Sequence, residues 1–144
     1  MDYSKTTYNL SIEAFYLLLL GIDRIKVISY VGGVYMNDLL SKKCIPCNIG
    51  AAPLNQEEIY DYLKNLKDGW QVMERKYIEK TYKFKDFIEA LNFTNKVGEL
   101  AEKEGHHPDI YLSWGKVVLK LWTHKIKGLH ENDFILAAKI DNIV

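Results

Sequence analysis

The apolar and polar positions change rhythm several times along the chain, and each change marks an element. Asn55-Gln-Glu-Glu58 sets a good N-cap residue three positions before a glutamate, the pattern of a capping box. Ile59, Leu63 and Leu66 then share a helical stripe, and Asp68-Gly69 closes that helix. Next the period falls to two. Trp70–Arg75 and Tyr77–Phe84 read as short strands joined by a tight turn near Glu74-Arg75-Lys76. In the second strand Ile78, Tyr82 and Phe84 share a side, with Lys80 between them. Helical spacing returns at Asp86. Phe87, Leu91, Thr94, Val97 or Gly98, and Ala101 recur, with Ile88 and Leu100 widening the stripe.

Gly105 is placed to turn the chain out of this long helix, and Pro108 keeps the helix from resuming. Ile110–Trp114 is a third strand, Gly115-Lys116 a tight turn, and Val117–His124 a fourth strand. On that fourth strand Val117, Leu119, Leu121 and Thr123 fall on one side, which reads as the core side. Val118, Lys120, Trp122 and His124 fall on the more open side, with His124 at the strand's end. Gly128 and Leu129 lead into a last helix carrying Phe134, Ala137, Ala138 and Ile140 or Asp141, with Asp133 in its first turn. The order α-β-β-α-β-β-α predicts an α+β domain: a four-stranded antiparallel sheet with helices on one face.

Upstream the pattern is less regular. Ala14–Ile22 is strongly apolar, but Asp23, Arg24 and Lys26 interrupt it short of the roughly 20 residues of a transmembrane helix. A basic leading region and a clear cleavage site are both missing, so an extra structural element is the favoured reading and an organellar leader the alternative. Residues 25–36, β-branched and aromatic, read as a strand with Gly32-Gly33 as a turn, and residues 37–53 read as a linker. The divisions expected are an extension over 1–38, a Cys/Pro/Gly linker over 39–54 and the main domain over 55–144.

Composition adds mostly exclusions. A chain of 144 residues suits one such domain. Its formal net charge of zero and lack of a basic stripe give nucleic-acid binding no support. Cys44 and Cys47, close together, do not make a disulfide framework, and a reducing, cytoplasmic setting is expected. As a pair they fall short of a zinc site, which needs about four ligands, and they lack a thioredoxin-like context. They read as two reduced loop thiols.

Chemistry concentrates between residues 102 and 133. Of the four histidines, His106, His107 and His124 lie in this window, with Glu102 one helical turn before His106. The residues alone leave three readings open: an acid–base or ligand site, a helix-terminal structural role, or a metal site. Adjacent extended histidines point to opposite sides and are poor partners for one metal ion. Trp70, Trp114 and Trp122 read first as core or interface residues, with Trp114 the best placed to line a flat ligand. His130 reads as a surface residue.

Glu102, His106-His107-Pro108, Trp114, His124 and Asp133, at these spacings, resemble the signature of the pterin-4a-carbinolamine dehydratases. The resemblance runs back through Phe84-Lys-Asp-Phe87 and Asp68-Gly-Trp70 to Cys44-Ile-Pro-Cys47 and Pro53-Leu54. It implies the same four-stranded α+β fold, and dimers or tetramers built through sheet edges and helices. It also implies dehydration of a 4a-hydroxytetrahydropterin to quinonoid dihydropterin in tetrahydrobiopterin regeneration, with no cofactor and no metal. By resemblance His106 and His124 carry the acid–base work, Glu102 orients a histidine and His107 binds the pterin. Pro108, Trp114, Thr123 and Asp133 join the binding set, Pro108 by shaping the turn and Asp133 by supporting the His124 side. Gly105 and Ile110 depart from the pattern, standing where relatives carry an acidic and an aromatic residue. Animal members also act as dimerisation cofactors for a homeodomain transcription factor, so an interaction role is the alternative function, as is binding of another pterin.

Overall fold

The computed structural model describes residues 36–45 and 52–143. The apolar run at 14–22, most of the strand expected over 25–36, Cys47 and the middle of the expected linker lie outside those residues. The described elements are helix α1 (Met36–Ser41), α2 (Gln56–Leu63), β1 (Gln71–Met73), β2 (Tyr77–Lys83), α3 (Phe87–Glu104), β3 (Asp109–Ser113), β4 (Lys116–Leu121) and α4 (Glu131–Ile140). A short 3-10 turn, His124–Ile126, follows β4. The sheet is antiparallel throughout, in the order β1-β2-β4-β3, so each hairpin sits beside its own partner and β2 joins β4 at the centre. Ile78, Tyr82, Val117, Leu119 and Leu121 project from one face and are buried under the helices. The α+β architecture expected from the sequence is the one observed.

Local chemistry sets the element ends. The Asn55 side chain accepts the Glu57 and Glu58 N–H groups at 2.9 and 3.1 Å, and the Glu58 carboxylate takes the Asn55 N–H at 2.8 Å, so the capping box is complete. Asp86 caps α3 by accepting the Glu89 N–H at 2.9 Å. At the other end of α3, Gly105 adopts φ +65°. The N–H groups of Gly105 and His106 turn back to the carbonyls of Glu102 and Ala101, the paired bonds of a Schellman motif. A Cβ at Gly105 would meet nothing within 4 Å, so glycine is favoured there by backbone conformation and not by space.

Three expectations need correction. Residues 37–41 are not linker: α1 occupies them, and Leu39 is fully buried in the core. The α3 stripe is rotated, with Ala90, Phe93, Val97 and Ala101 buried while Phe87 and Ile88 stay exposed; the apolar residues near its start outnumber the positions the sheet can cover. Finally, β4 ends at Leu121, and His124 begins the 3-10 turn instead of closing the strand. The chain leaves the sheet there because Thr123 pairs with Gly128 in an isolated bridge that folds residues 123–128 into a loop.

α4 is the hub of the helical layer. Asn132 to Ala138 are all buried, as expected of a helix that is apolar nearly all round. Its N-cap is His130, which accepts the Asn132 N–H on Nδ1 at 3.3 Å, so the histidine read as a surface residue is a half-buried cap.

Candidate active site

Three segments meet at one end of the sheet: the Schellman turn that ends α3, the loop after β4, and the first turn of α4. They bound a cavity of about 390 Å³, within the usual range for small-molecule sites. His106, His107, Thr123 and His124 line it, as does Trp122.

Asp133 is the buried foundation. It is fully inaccessible, in the first turn of α4, where the helix dipole favours a carboxylate. Oδ2 accepts the Thr123 hydroxyl at 3.1 Å and the His130 N–H at 2.7 Å. Oδ1 is left for His106 Nε2 at 2.6 Å. With the carboxylate an acceptor only, the network assigns the His106 proton to Nε2 and leaves Nδ1 as the basic atom of a ring that lines the cavity. This is the aspartate–imidazole pairing that steadies a histidine in acid–base catalysis.

The other two histidines of the cavity sit nearer solvent. His107 Nε2 is 2.8 Å from Glu102 Oε1, and both side chains are mostly exposed. His124 stacks on Trp122 with ring centroids 4.1 Å apart. The Trp122 indole donates to Asp109 Oδ2 at 3.0 Å, and Asp109 Oδ1 lies 3.9 Å from His124 Nε2. One carboxylate at the start of β3 thus anchors the ring that carries His124.

The structure redistributes the roles read from the sequence. The histidine that Glu102 meets is His107, because the Schellman turn brings the second histidine back over the helix end. Asp133 holds His106 directly, and through the Thr123 hydroxyl it also holds the start of the loop that carries His124. Thr123, expected among the substrate contacts, commits its hydroxyl to Asp133. Pro108 follows the pair in the turn into β3. Trp114 does not join the group: it is 74% exposed, in the β3–β4 turn, roughly 15 Å along the strand from Asp109. Strand geometry carries it to the far end of the hairpin, where Phe84 donates to the Gly115 carbonyl at 2.8 Å.

Several contributors escaped the sequence reading. Trp122 had a signal, since period two puts it on the side of His124. Asp109, Asn132 and Glu104 had none beyond proximity to the histidines. Glu104 is almost buried, paired with Lys139 at 2.7 Å and accepting the Cys44 N–H at 3.2 Å. Burial alone would raise its pKa, but the hydrogen bonds from Lys139 and Cys44 and the lysine charge outweigh that and hold it below the usual carboxylate range. Among the described residues no group of three or more His, Cys, Asp or Glu side chains is arranged to hold a metal ion. No helix among them is long and apolar enough to cross a membrane.

The chain is similar to known proteins over about three quarters of its length. The chain is 56% identical over 106 residues to a protein of Alkaliphilus metalliredigens named for pterin-4-alpha-carbinolamine dehydratase activity, covering 74% of this chain and 96% of that one. A Rickettsia canadensis protein named in the same way is 51% identical over 107 residues, covering 74% and 98%. A crystal structure from Brucella melitensis, described as a transcriptional coactivator/pterin dehydratase, superposes with a TM-score of 0.60 at 36% identity, covering 63% of this chain and 97% of that one. The family profile described as pterin 4 alpha carbinolamine dehydratase matches residues 52–143, the whole of the sheet with α2, α3 and α4, and the chain belongs to that family.

Proposed function

We propose that this protein dehydrates a 4a-hydroxytetrahydropterin to the quinonoid dihydropterin by histidine acid–base catalysis, as a step in tetrahydrobiopterin regeneration. The observation that carries the mechanism is the His106–Asp133 pair opening onto the same cavity as His124. In the reaction the C4a–O bond breaks with its electrons on oxygen, which takes a proton from a general acid and leaves as water. The ring N–H beside C4a gives its proton to a general base, and its electrons form the new double bond. No electrons are exchanged with an outside group.

His106 is suited to be the base. The Asp133 carboxylate holds Nε2–H and stabilises the imidazolium formed when Nδ1 takes the proton. His124, at the open side on the Trp122 ring, is suited to be the acid and to be reprotonated from solvent. His107, held by Glu102, binds the pterin's polar edge. General acid–base groups of this kind contribute about 10²–10⁴-fold each.

The test is dehydration of a 4a-hydroxytetrahydropterin generated in situ and followed by ultraviolet absorbance. Wild type accelerates it, and His106→Ala and His124→Ala each lose at least about tenfold, or about 1.4 kcal/mol of barrier. Folded wild type that gives no acceleration sinks the proposal. The likeness to the Brucella protein, described as a coactivator as well as a dehydratase, motivates a second reading, an interaction protein. Partner binding that survives His124→Ala while catalysis falls assigns the two roles to different surfaces. Assembly of copies through the β3 edge, which carries the exposed Tyr111 and is followed by Trp114, is checked by light scattering of Tyr111→Asp.

A further inference from the structure

One wall of the cavity comes from outside the segment the family profile matches. Lys42–Ile45 lies upstream of residue 52, yet Cys44 and Ile45 line the cavity with the histidines. Its attachment uses buried polar groups of the main domain. The Asn132 side chain, on a residue 3% exposed, accepts the Ile45 N–H on Oδ1 at 3.2 Å and donates Nδ2–H to the Ile45 carbonyl at 2.7 Å. One amide therefore satisfies both backbone groups of one residue, as a neighbouring strand would. The Cys44 N–H is held by Glu104, itself paired with Lys139. Lys42 is anchored to Glu131 at 2.9 Å and to Asp38 at 2.8 Å.

The outcome of this anchoring is unusual. The backbone of Ile45 is fixed from beneath, while its side chain is left 62% exposed at the cavity. Burying polar groups to hold an apolar side chain in water gives no folding benefit by itself, since exposed apolar area is unfavourable. The arrangement makes physical sense if a ligand covers the isoleucine. We infer that Lys42–Ile45 is a substrate-binding strap, with Ile45 the apolar wall that packs against the flat face of a bicyclic heterocycle, and Asn132 the residue that sets its position. This deepens the dehydratase reading and rests on it for the identity of the ligand.

The probe is a non-reacting dihydropterin, whose binding is titrated by fluorescence beside steady-state dehydration kinetics. Because the Ile45 side chain is exposed, Ile45→Ala folds with an unchanged melting temperature. It is expected to raise the dihydropterin Kd and the carbinolamine KM by at least threefold, with kcat falling less than KM rises. Asn132→Ala is expected to raise Kd similarly, and the double variant to add little to either single change, since both act through one contact. Ile45→Ala with Kd within threefold of wild type overturns the strap. If wild type binds dihydropterin without dehydrating the carbinolamine, the reaction is wrong and the Kd comparison still decides the strap. If wild type binds no pterin, both fall.

Discussion

Two buried aspartates stand at opposite ends of α4 and do different work. Asp133, in the first turn, commits one oxygen to scaffold donors and turns the other to a histidine that lines the cavity. Asp141, at the C-cap and 1% exposed, gives everything to the scaffold. Its Oδ1 takes Lys80 at 2.6 Å and the Tyr82 hydroxyl at 3.0 Å, and its Oδ2 takes the Trp70 indole at 3.0 Å and the Lys67 N–H at 3.2 Å. The helix dipole favours a carboxylate at the first position and opposes one at the second. That explains why Asp141 needs a lysine and three further donors, while Asp133 holds its place with neutral donors and keeps an oxygen for His106. Burial alone does not separate the two carboxylates; what the last oxygen faces does.

The contrast is broken most forcefully at Asp141. Asp141→Ala leaves Lys80 and three donors without their acceptor and is expected to cost about 3–5 kcal/mol, read as a lower urea midpoint. The turnover of the remaining folded protein should stay within about twofold, since nothing at the cavity changes. Tyr82 adds a spectroscopic reading. Burial and then the Asp141 charge push its pKa far above that of an ordinary tyrosine, so it stays a neutral donor in alkali.

Asp133→Asn is the opposite experiment. The amide still fills the space and can present an N–H toward His106, favouring the wrong tautomer. The expected loss is about 10–10²-fold in kcat, or about 1.4–2.7 kcal/mol of barrier, with less destabilisation than Asp141→Ala. If Asp133→Asn unfolded the protein while leaving turnover of the folded fraction intact, the two carboxylates would be alike.

A smaller effect is expected where the cavity meets solvent. Asp109→Asn and Trp122→Ala remove the support beneath His124. An aromatic pair contributes about 0.5–1.5 kcal/mol, so kcat/KM should fall roughly two- to tenfold. Trp122→Phe keeps the stack and should recover most of that loss.

An effect of similar size, on stability and not on turnover, concerns Glu104. Its folded-state pKa lies below the unfolded value, so its contribution is complete above the unfolded value and is lost as pH falls through the lower folded one. Glu104→Gln should therefore cost about 0.5–1.5 kcal/mol near neutrality. Denaturation curves of the two proteins should converge in acid, and a gap that widened as pH fell would contradict the assignment.

Much of this was legible in the sequence because local rules dominate there. The capping box at Asn55, the αL exit at Gly105 and the alternation of Val117, Leu119 and Leu121 each follow from a few neighbouring residues. The histidine cluster was visible as spacing. The pairings were not. Nothing local says that His106 reaches Asp133 while His107 folds back to Glu102; that depends on the Schellman turn and on where α4 begins. Trp114 misled because spacing along a strand ignores direction, and five residues of extended chain carry a side chain to the other end of a hairpin. Residues 42–45 read as linker because their role lies in bonds to Asn132 and Glu104, far away in sequence.

The most direct test of the central claim is chemical rescue of His106→Ala. Removing the imidazole leaves a cavity-lining gap with Asp133 behind it, so added imidazole has both space and a hydrogen-bond partner. The expected result is a dehydration rate at least tenfold below wild type that rises saturably with imidazole, and no such rescue when Asp133→Asn is added. A His106→Ala protein that dehydrates the carbinolamine at the wild-type rate would contradict the account.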